Sequence, residues 1–283
     1  MNEFVIHYEP IIRLGFFMGI FGAVAIGEFF APRRLLSTSK TSRWFINLGI
    51  VVINSVVLRV LFPVAAAGMA MIAAHKHWGL FNNIVIFPFP AVILSILILD
   101  FAIYVQHVMF HAIPVLWRLH MVHHADMDFD LTTGSRFHPI EIMLSMLIKM
   151  GVVVLIGAPP VSVILFEVLL NGSAMFNHGN LFIPLYLDRI LRLIVVTPDM
   201  HRVHHSVFPF ETNSNFGFNV PWWDRLMGTY REQPKLGHEA MTIGLNQFRD
   251  PSLLTLPKIL ALPFTGRIGN YPINRRGISG EDA

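Results

Sequence analysis

Four stretches of the chain are apolar with little polar interruption: residues 11–31, 44–74, 78–105 and 140–176. A bilayer core about 30 Å thick takes roughly 20 residues of helix, so each is long enough to matter there. The third is the cleanest, with no charge from Trp78 to Leu99 before Asp100. In the first, Arg13 and Glu28 stand near the two ends, where both reach the interface. The second contains Arg59 and Pro63 and reads as one long tilted helix or as a span plus an interfacial piece. The fourth breaks at Gly157-Ala158-Pro159-Pro160, a strong turn signal, which predicts a hairpin of two helices. Lys149 and Glu167 inside its arms argue against both arms crossing fully. After Gly179 the pattern turns mixed and polar. Residues 253–264 then form a short apolar stretch with Pro257 and Pro263 that suits the interface, and the chain ends in a tail. The expectation is an all-α, integral membrane bundle of about four spans.

Composition agrees with lipid as the solvent. Hydrophobic residues make up 54% and charged residues 14% of 283, with 24 phenylalanines. No stretch stands apart as a second soluble domain, so residues 1–283 read as one unit. The N-terminus has no basic n-region, and the first apolar run ends at Ala31-Pro32-Arg33-Arg34, which predicts an anchor and not a cleaved signal. A net charge of +3 without a dense basic patch excludes a nucleic-acid binder. The absence of cysteine excludes thiolate zinc sites and cysteine-held clusters, so any metal uses N or O ligands. Arg33, Arg34, Lys40 and Arg43 follow the first run, whereas the link between the second and third has only Lys76. Positive-inside counting therefore puts the 33–43 loop, and with it every histidine motif, on the cytoplasmic side.

The chemistry lies in three clusters, His107-x3-His111, His120-x2-His123-His124 and His201-x2-His204-His205, which use eight of the fourteen histidines. On a helix, positions i, i+3 and i+4 share a face, so each cluster can turn two or three imidazoles to one place. Asp100, Tyr104, His107 and His111 continue one face of the third apolar run, which sets the site just beneath the membrane surface. Eight neutral nitrogens exceed what one ion of four to six ligands needs, so two metals are implied. Zinc hydrolases usually combine three protein ligands with a carboxylate base, as in HExxH, and that motif is missing; iron is favoured. His138, in Arg136-Phe137-His138-Pro139-Ile140-Glu141, and His178, in Asn177-His178-Gly179-Asn180, stand where the hairpin begins and ends and extend the ligand set. Asp100, Glu141, Asp199 and Asp224 are candidate acceptors that fix imidazole tautomers. His7, His75, His77 and His238 are isolated and read as incidental.

These motifs resemble the fatty acid hydroxylase and sterol desaturase superfamily of membrane-bound non-haem di-iron enzymes. The resemblance runs from about Asp100 to Tyr230 and takes in Leu116-Trp117, Asn215-Phe216-Gly217 and Trp223-Asp224-Arg225-Leu226-x-Gly228-Thr229. It implies a helical bundle under a cytoplasmic helical cap, with ten histidines (His107, His111, His120, His123, His124, His138, His178, His201, His204 and His205) around two Fe ions, zinc being a possible substitute on purification. Asp100, Glu141 and Asn180 are the expected catalytic side chains. Members acting on long acyl chains often carry a second histidine four residues after the position of His178; here it is Phe182, and His138 is the expected replacement. The implied activity is O2-dependent hydroxylation or desaturation of a fatty acyl, sterol or related lipid. Electrons then come from an external donor such as a reductase, ferredoxin or cytochrome, since no haem or flavin motif is present. Two rivals stand beside it: a zinc-dependent membrane hydrolase with Glu141 as base, and a non-catalytic metal or lipid sensor.

Overall fold

The computed structural model describes residues 7–274, and among these all regular elements are helical. Of the expected tail, residues 265–283, those from Arg275 onward lie outside the described residues. Five segments are long and apolar enough to cross a membrane: Glu9–Phe30, Lys40–Asn82, Pro88–Ala112, Pro139–Ile156 and Pro160–Asn177. The fourth apolar run thus supplies two, raising the expected four to five. Its turn is the one the sequence signals, with Gly157 left-handed at φ 66° and Pro160 starting the next helix.

We number the helices α1 (Glu9–Phe30), α2 (Lys40–Leu61), α3 (Ala66–His75), α4 (Pro88–Ala112), α5 (Pro114–His124), α6 (Pro139–Ile156) and α7 (Pro160–Asn177). Shorter helices follow: α8 (Leu185–Leu191), α9 (Pro198–His204), α10 (Trp222–Met227) and α11 (Leu256–Thr265). Proline in the first turn opens α4, α5, α6, α7 and α9, where its missing N–H costs no helical bond. Pro63 breaks the second apolar run into α2 and α3, which lie together in one segment, Lys40–Asn82, long and apolar enough to cross. The third run is not helical throughout. Residues 78–87 form a link with one short 3-10 turn, and α4 begins only at Pro88.

Away from the site, the bundle packs on small residues. Ala66, Ala67 and Ala70 of α3 are buried against Leu99, Ile103, Val153, Ile156 and Val163. There the link after α3 touches the α6–α7 turn: a Cβ on Gly79 would lie 2.1 Å from the Gly157 backbone nitrogen. Only glycine fits at such an approach, and the positive φ of 87° asks for it as well. Lys149 and Glu167 do not prevent their helices from being spans. Glu167 is buried between Lys149 of α6 and Arg13 of α1, and Arg13 also bonds Glu9, so two cations and two carboxylates from three helices balance one another.

The opposite end is polar. The C-termini of α1, α4 and α7, the N-terminus of α6 and the first half of α2 meet there under α5, α9 and the C-terminal segments. Arg43 of α2 bonds Asp126 and Asp130 at 2.7 and 2.6 Å. Asp128 takes the backbone N–H groups of Ser37 and Thr38, and Glu28 those of Leu131 and Asn180. Glu28 therefore does not reach the interface as expected; it is a buried acceptor that holds two loops. Residues 266–274 are also packed here. Trp117 donates to the Ile268 carbonyl, Tyr271 to the Val207 carbonyl, and Ile273 N–H to His111. The portion of the expected tail that is described, up to Asn274, thus straps the cap to α4.

Candidate metal centre

α4 carries His107 and His111 one turn apart, and Pro114 starts α5 at once, so the chain doubles back and sets His120 and His124 opposite them. The pairs meet tip to tip, His107 Nε2 to His120 Nε2 and His111 Nε2 to His124 Nε2, each at 3.1 Å. α9 supplies His201 and His204, with His205 at its C-cap, and His178 caps α7. His178 Nε2 faces His123 Nε2, again at 3.1 Å. Two adjoining groups result: His107, His111, His120, His124 and His204, and His123, His178, His201 and His205. Within each, one ring nitrogen per residue lies within 4.8 Å of all the others, and every member is buried. Ligands about 2.1 Å from one ion span up to about twice that distance, so both groups have the size of a coordination sphere.

Hydrogen bonds on the far side of the rings decide which nitrogen faces inward. Nδ1–H of His107, His178 and His204 donates to the carbonyls of Phe216, Ala174 and Ser214 at 2.7, 2.8 and 2.7 Å. His120 Nδ1–H donates to Glu141 at 2.6 Å. His111 Nδ1–H donates to Asn213 Oδ1 at 3.1 Å, an oxygen identified because the amide nitrogen of Asn213 donates to Tyr271. With those protons outside, His107 and His120 point two lone pairs at each other. Such a contact is repulsive unless a cation lies between the rings. The Nε2 atoms of His204 and His205 are likewise buried without a partner. Outward acceptor, inward Nε2 is the arrangement metal-binding imidazoles adopt.

The imidazoles outside the spans are neutral. Burial, reinforced by neighbouring rings, holds His120, His123, His124, His201 and His205 well below the ordinary histidine range. Burial does the same to His204, even though the Ser214 carbonyl favours its charged form. Burial also takes His178 down to about 3, against the opposing pull of the Ala174 carbonyl. Neutral rings are the form that ligates a metal.

The remaining sequence candidates separate. Glu141 is at the site, through His120. His138 is brought into neither group: its Nδ1 caps α6 by accepting from Ile140 N–H, and its Nε2 bonds the Leu260 carbonyl at 3.2 Å. The replacement expected for the missing histidine is therefore not made, because both ring nitrogens are engaged in joining α6 to α11. Asp100 reaches no imidazole; it accepts from Asn219 and from the Trp223 indole at 2.7 and 2.8 Å. Asn180 pairs with the backbone of Arg34 through both ends of its amide. Asp199 sits with Arg33 and Arg202. Asp224 accepts from the backbone N–H groups of Phe216 and Gly217, and so shapes the loop whose carbonyl holds His107. His238, read as incidental, is buried 3.6 Å from Asp199 and outside both groups.

Sequence reasoning passed over Asp126-x-Asp128-x-Asp130, although it follows the second histidine cluster directly. Its alternating acids tie α2 and the 37–38 loop beneath the cap. Burial alone would raise Asp126, but the Arg43 guanidinium overrides it and holds the carboxyl well below the usual range. Phe137 was also missed as a ring that matters: it stacks on His123 with centroids 4.4 Å apart.

A cavity of about 270 Å³ runs up to the histidines between α1, α2, α4, α6 and α7. Its wall is mostly apolar, with Phe17, Val51, Leu58, Ile103, Phe110 and Leu170 leading to His107, His120 and Glu141. Among known proteins, residues 92–229 match the model of the fatty acid hydroxylase family. The matched region is just under half of the chain. It holds all nine clustered histidines and the loops that orient them. The chain is 30% identical over 62% of its length to the ornithine lipid hydroxylase OlsE of Rhizobium tropici, and 29% identical over 55% to alkylglycerol monooxygenase of Xenopus tropicalis. It is 25% identical over 50% to human cholesterol 25-hydroxylase. The matches span 51%, 34% and 51% of those relatives, about half their length or less. No solved structure matches.

Proposed function

We propose that the protein is a multi-pass membrane oxygenase that uses two iron ions to hydroxylate or desaturate a C–H bond of a lipid. The observation that carries this reading is the pair of adjoining groups of inward-turned, neutral imidazoles at the end of an apolar cavity between spanning helices. Five histidines would hold one ion and four the other, and an iron pair would supply activation of O2. The names of the relatives, hydroxylases and a monooxygenase acting on lipids, support the same chemistry.

The chain's own residues do the rest. Glu141 and the carbonyls of Phe216, Ala174 and Ser214 keep Nδ1 protonated and Nε2 free on His120, His107, His178 and His204. Phe137, Phe216 and Phe218 pack against the rings and exclude water from them. The cavity wall orients an apolar chain toward His107 and His120. Electrons come from a separate donor, and the loop of Arg33 and Arg34 supports a cytoplasmic site, where such donors are found.

The test is oxygen uptake by protein purified anaerobically and loaded with Fe(II), supplied with a reductant and membrane lipid. Lipid products should differ from substrate by one added oxygen or two lost hydrogens. Lipid turnover by the zinc form without O2 would overturn the reading and favour a hydrolase.

A further inference from the structure

The apolar cavity is interrupted by a small polar belt close to the histidines. Asn54 of α2 donates its amide N–H to the Phe137 carbonyl at 2.9 Å, which leaves its Oδ1 buried and without a partner. Glu141 bonds His120 through one oxygen, and the other is also buried and unpartnered. Gln106 of α4, next to His107, pairs with Ser145 at 3.0 Å and has its second amide atom free. Asn54 and Gln106 are only 7% and 9% exposed, and all three residues line the cavity. A buried polar atom without a partner costs about 1–3 kcal/mol, so three in one wall call for an occupant that bonds them. The Phe137 carbonyl fixes the free Asn54 atom as an acceptor, while Gln106 can turn either end to a ligand because the Ser145 hydroxyl pairs with both.

We infer that the cavity selects a lipid carrying a hydrogen-bond donor, a hydroxyl or an amide N–H, near the carbon that reaches the histidines, with Asn54 and Gln106 as its specificity-determining residues. This rests on the proposed lipid role of the cavity but not on the oxidative step. A purely hydrocarbon segment at this depth would leave the three polar atoms unbonded, whereas a donor-bearing one satisfies at least Asn54 Oδ1. The rest of the wall, with Ile103, Leu58 and Phe17, is apolar and takes the alkyl chain.

The experiment needs neither O2 nor reductant. Protein in detergent is equilibrated with hexadecan-1-ol, N-hexadecylacetamide or hexadecyl methyl ether at equal mole fraction, and the retained probe is quantified by mass spectrometry after detergent exchange. Hexadecanol and the amide should be retained about tenfold over the ether, the scale of one or two net hydrogen bonds. Gln106→Met and Asn54→Leu should each reduce the ratio to about twofold. Asn54→Leu also removes the bond to Phe137, so Gln106→Met carries the comparison if that variant does not fold. Equal retention of alcohol and ether by the unaltered protein, as for a water-filled belt, overturns the inference whatever the variants do. Discrimination without any oxygen uptake would sustain it while sinking the oxygenase reading.

Discussion

The two ends of the bundle are held by different forces. Away from the site, α3, α4, α6 and α7 meet through alanine, valine, isoleucine and leucine, with Gly79 lying against Gly157. At the site end, α1, α2, α4, α6 and α7 meet the cap through buried histidines, aspartates, arginines and asparagines. Close packing serves the first because lipid tails are as apolar as the side chains, so helices associate there by fit. At the second, each buried charge is costly unless paired, and pairing fixes direction as well as distance. The lesson is a division of labour: a site that must aim nine imidazoles needs directional bonds, and the apolar end supplies the frame.

Removing a metal ligand breaks the comparison most sharply. His178→Ala leaves three histidines in the smaller group, and should abolish its metal and lower activity by about 10³-fold or more, as for losing a metal's several kcal/mol of transition-state stabilisation. Metal content per protein is the check, and His111→Ala, which leaves four in the larger group, should lose less. Next in size is Arg43→Met, which strands Asp126 and Asp130. Breaking a buried pair from one side costs about 3–5 kcal/mol, read as a lower unfolding temperature and as loss of both metals together.

At the apolar end, Ala70→Leu should cost about 1–3 kcal/mol through overpacking. Thermal unfolding would show it, while metal content per folded protein stays unchanged. If metal were lost as well, the two ends would not be separable. A separate effect, needing no substitution, is that of pH on metal-free protein. Rings such as His178, neutral in the folded state down to about 3, take up protons near 6.5 on unfolding. The unfolded state then binds more protons, so stability is level above about pH 7 and falls as pH drops through 6.5 toward 3. Unfolding temperatures at pH 7.5 and 5.5 should differ by several degrees; equal values would mean that the rings are not buried as described.

Much of the site could be read from spacing. Nine of the ten expected histidines come together: eight belong to the i, i+3 and i+4 clusters that helical spacing picks out, and His178 stands alone along the chain. His138 could not be sorted this way: it sits one residue before a proline, the N-cap position of α6, and whether its ring turns to the site depends on α11, distant in sequence. Asp100 and Asn180 misled for the same reason. Both are buried and close to motif histidines along the chain, but their bonds go to Trp223, Asn219 and Arg34, which no local pattern connects to them. Lys149 and Glu167 looked like obstacles to spanning because partners lie on other helices, and Glu28 looked interfacial because the loops it holds are distant in sequence.

The sequence by itself determined the apolar helices, the hairpin turn at Gly157 and the set of imidazoles that meet, since hydrophobic length, turn chemistry and helical periodicity are local. Only the tertiary structure decided how those imidazoles divide into groups of five and four, which carbonyls and carboxylate fix their tautomers, and which buried oxygens face the cavity. These depend on where non-adjacent segments end up relative to one another, and a hydrogen bond a few ångströms long is settled only once they have packed.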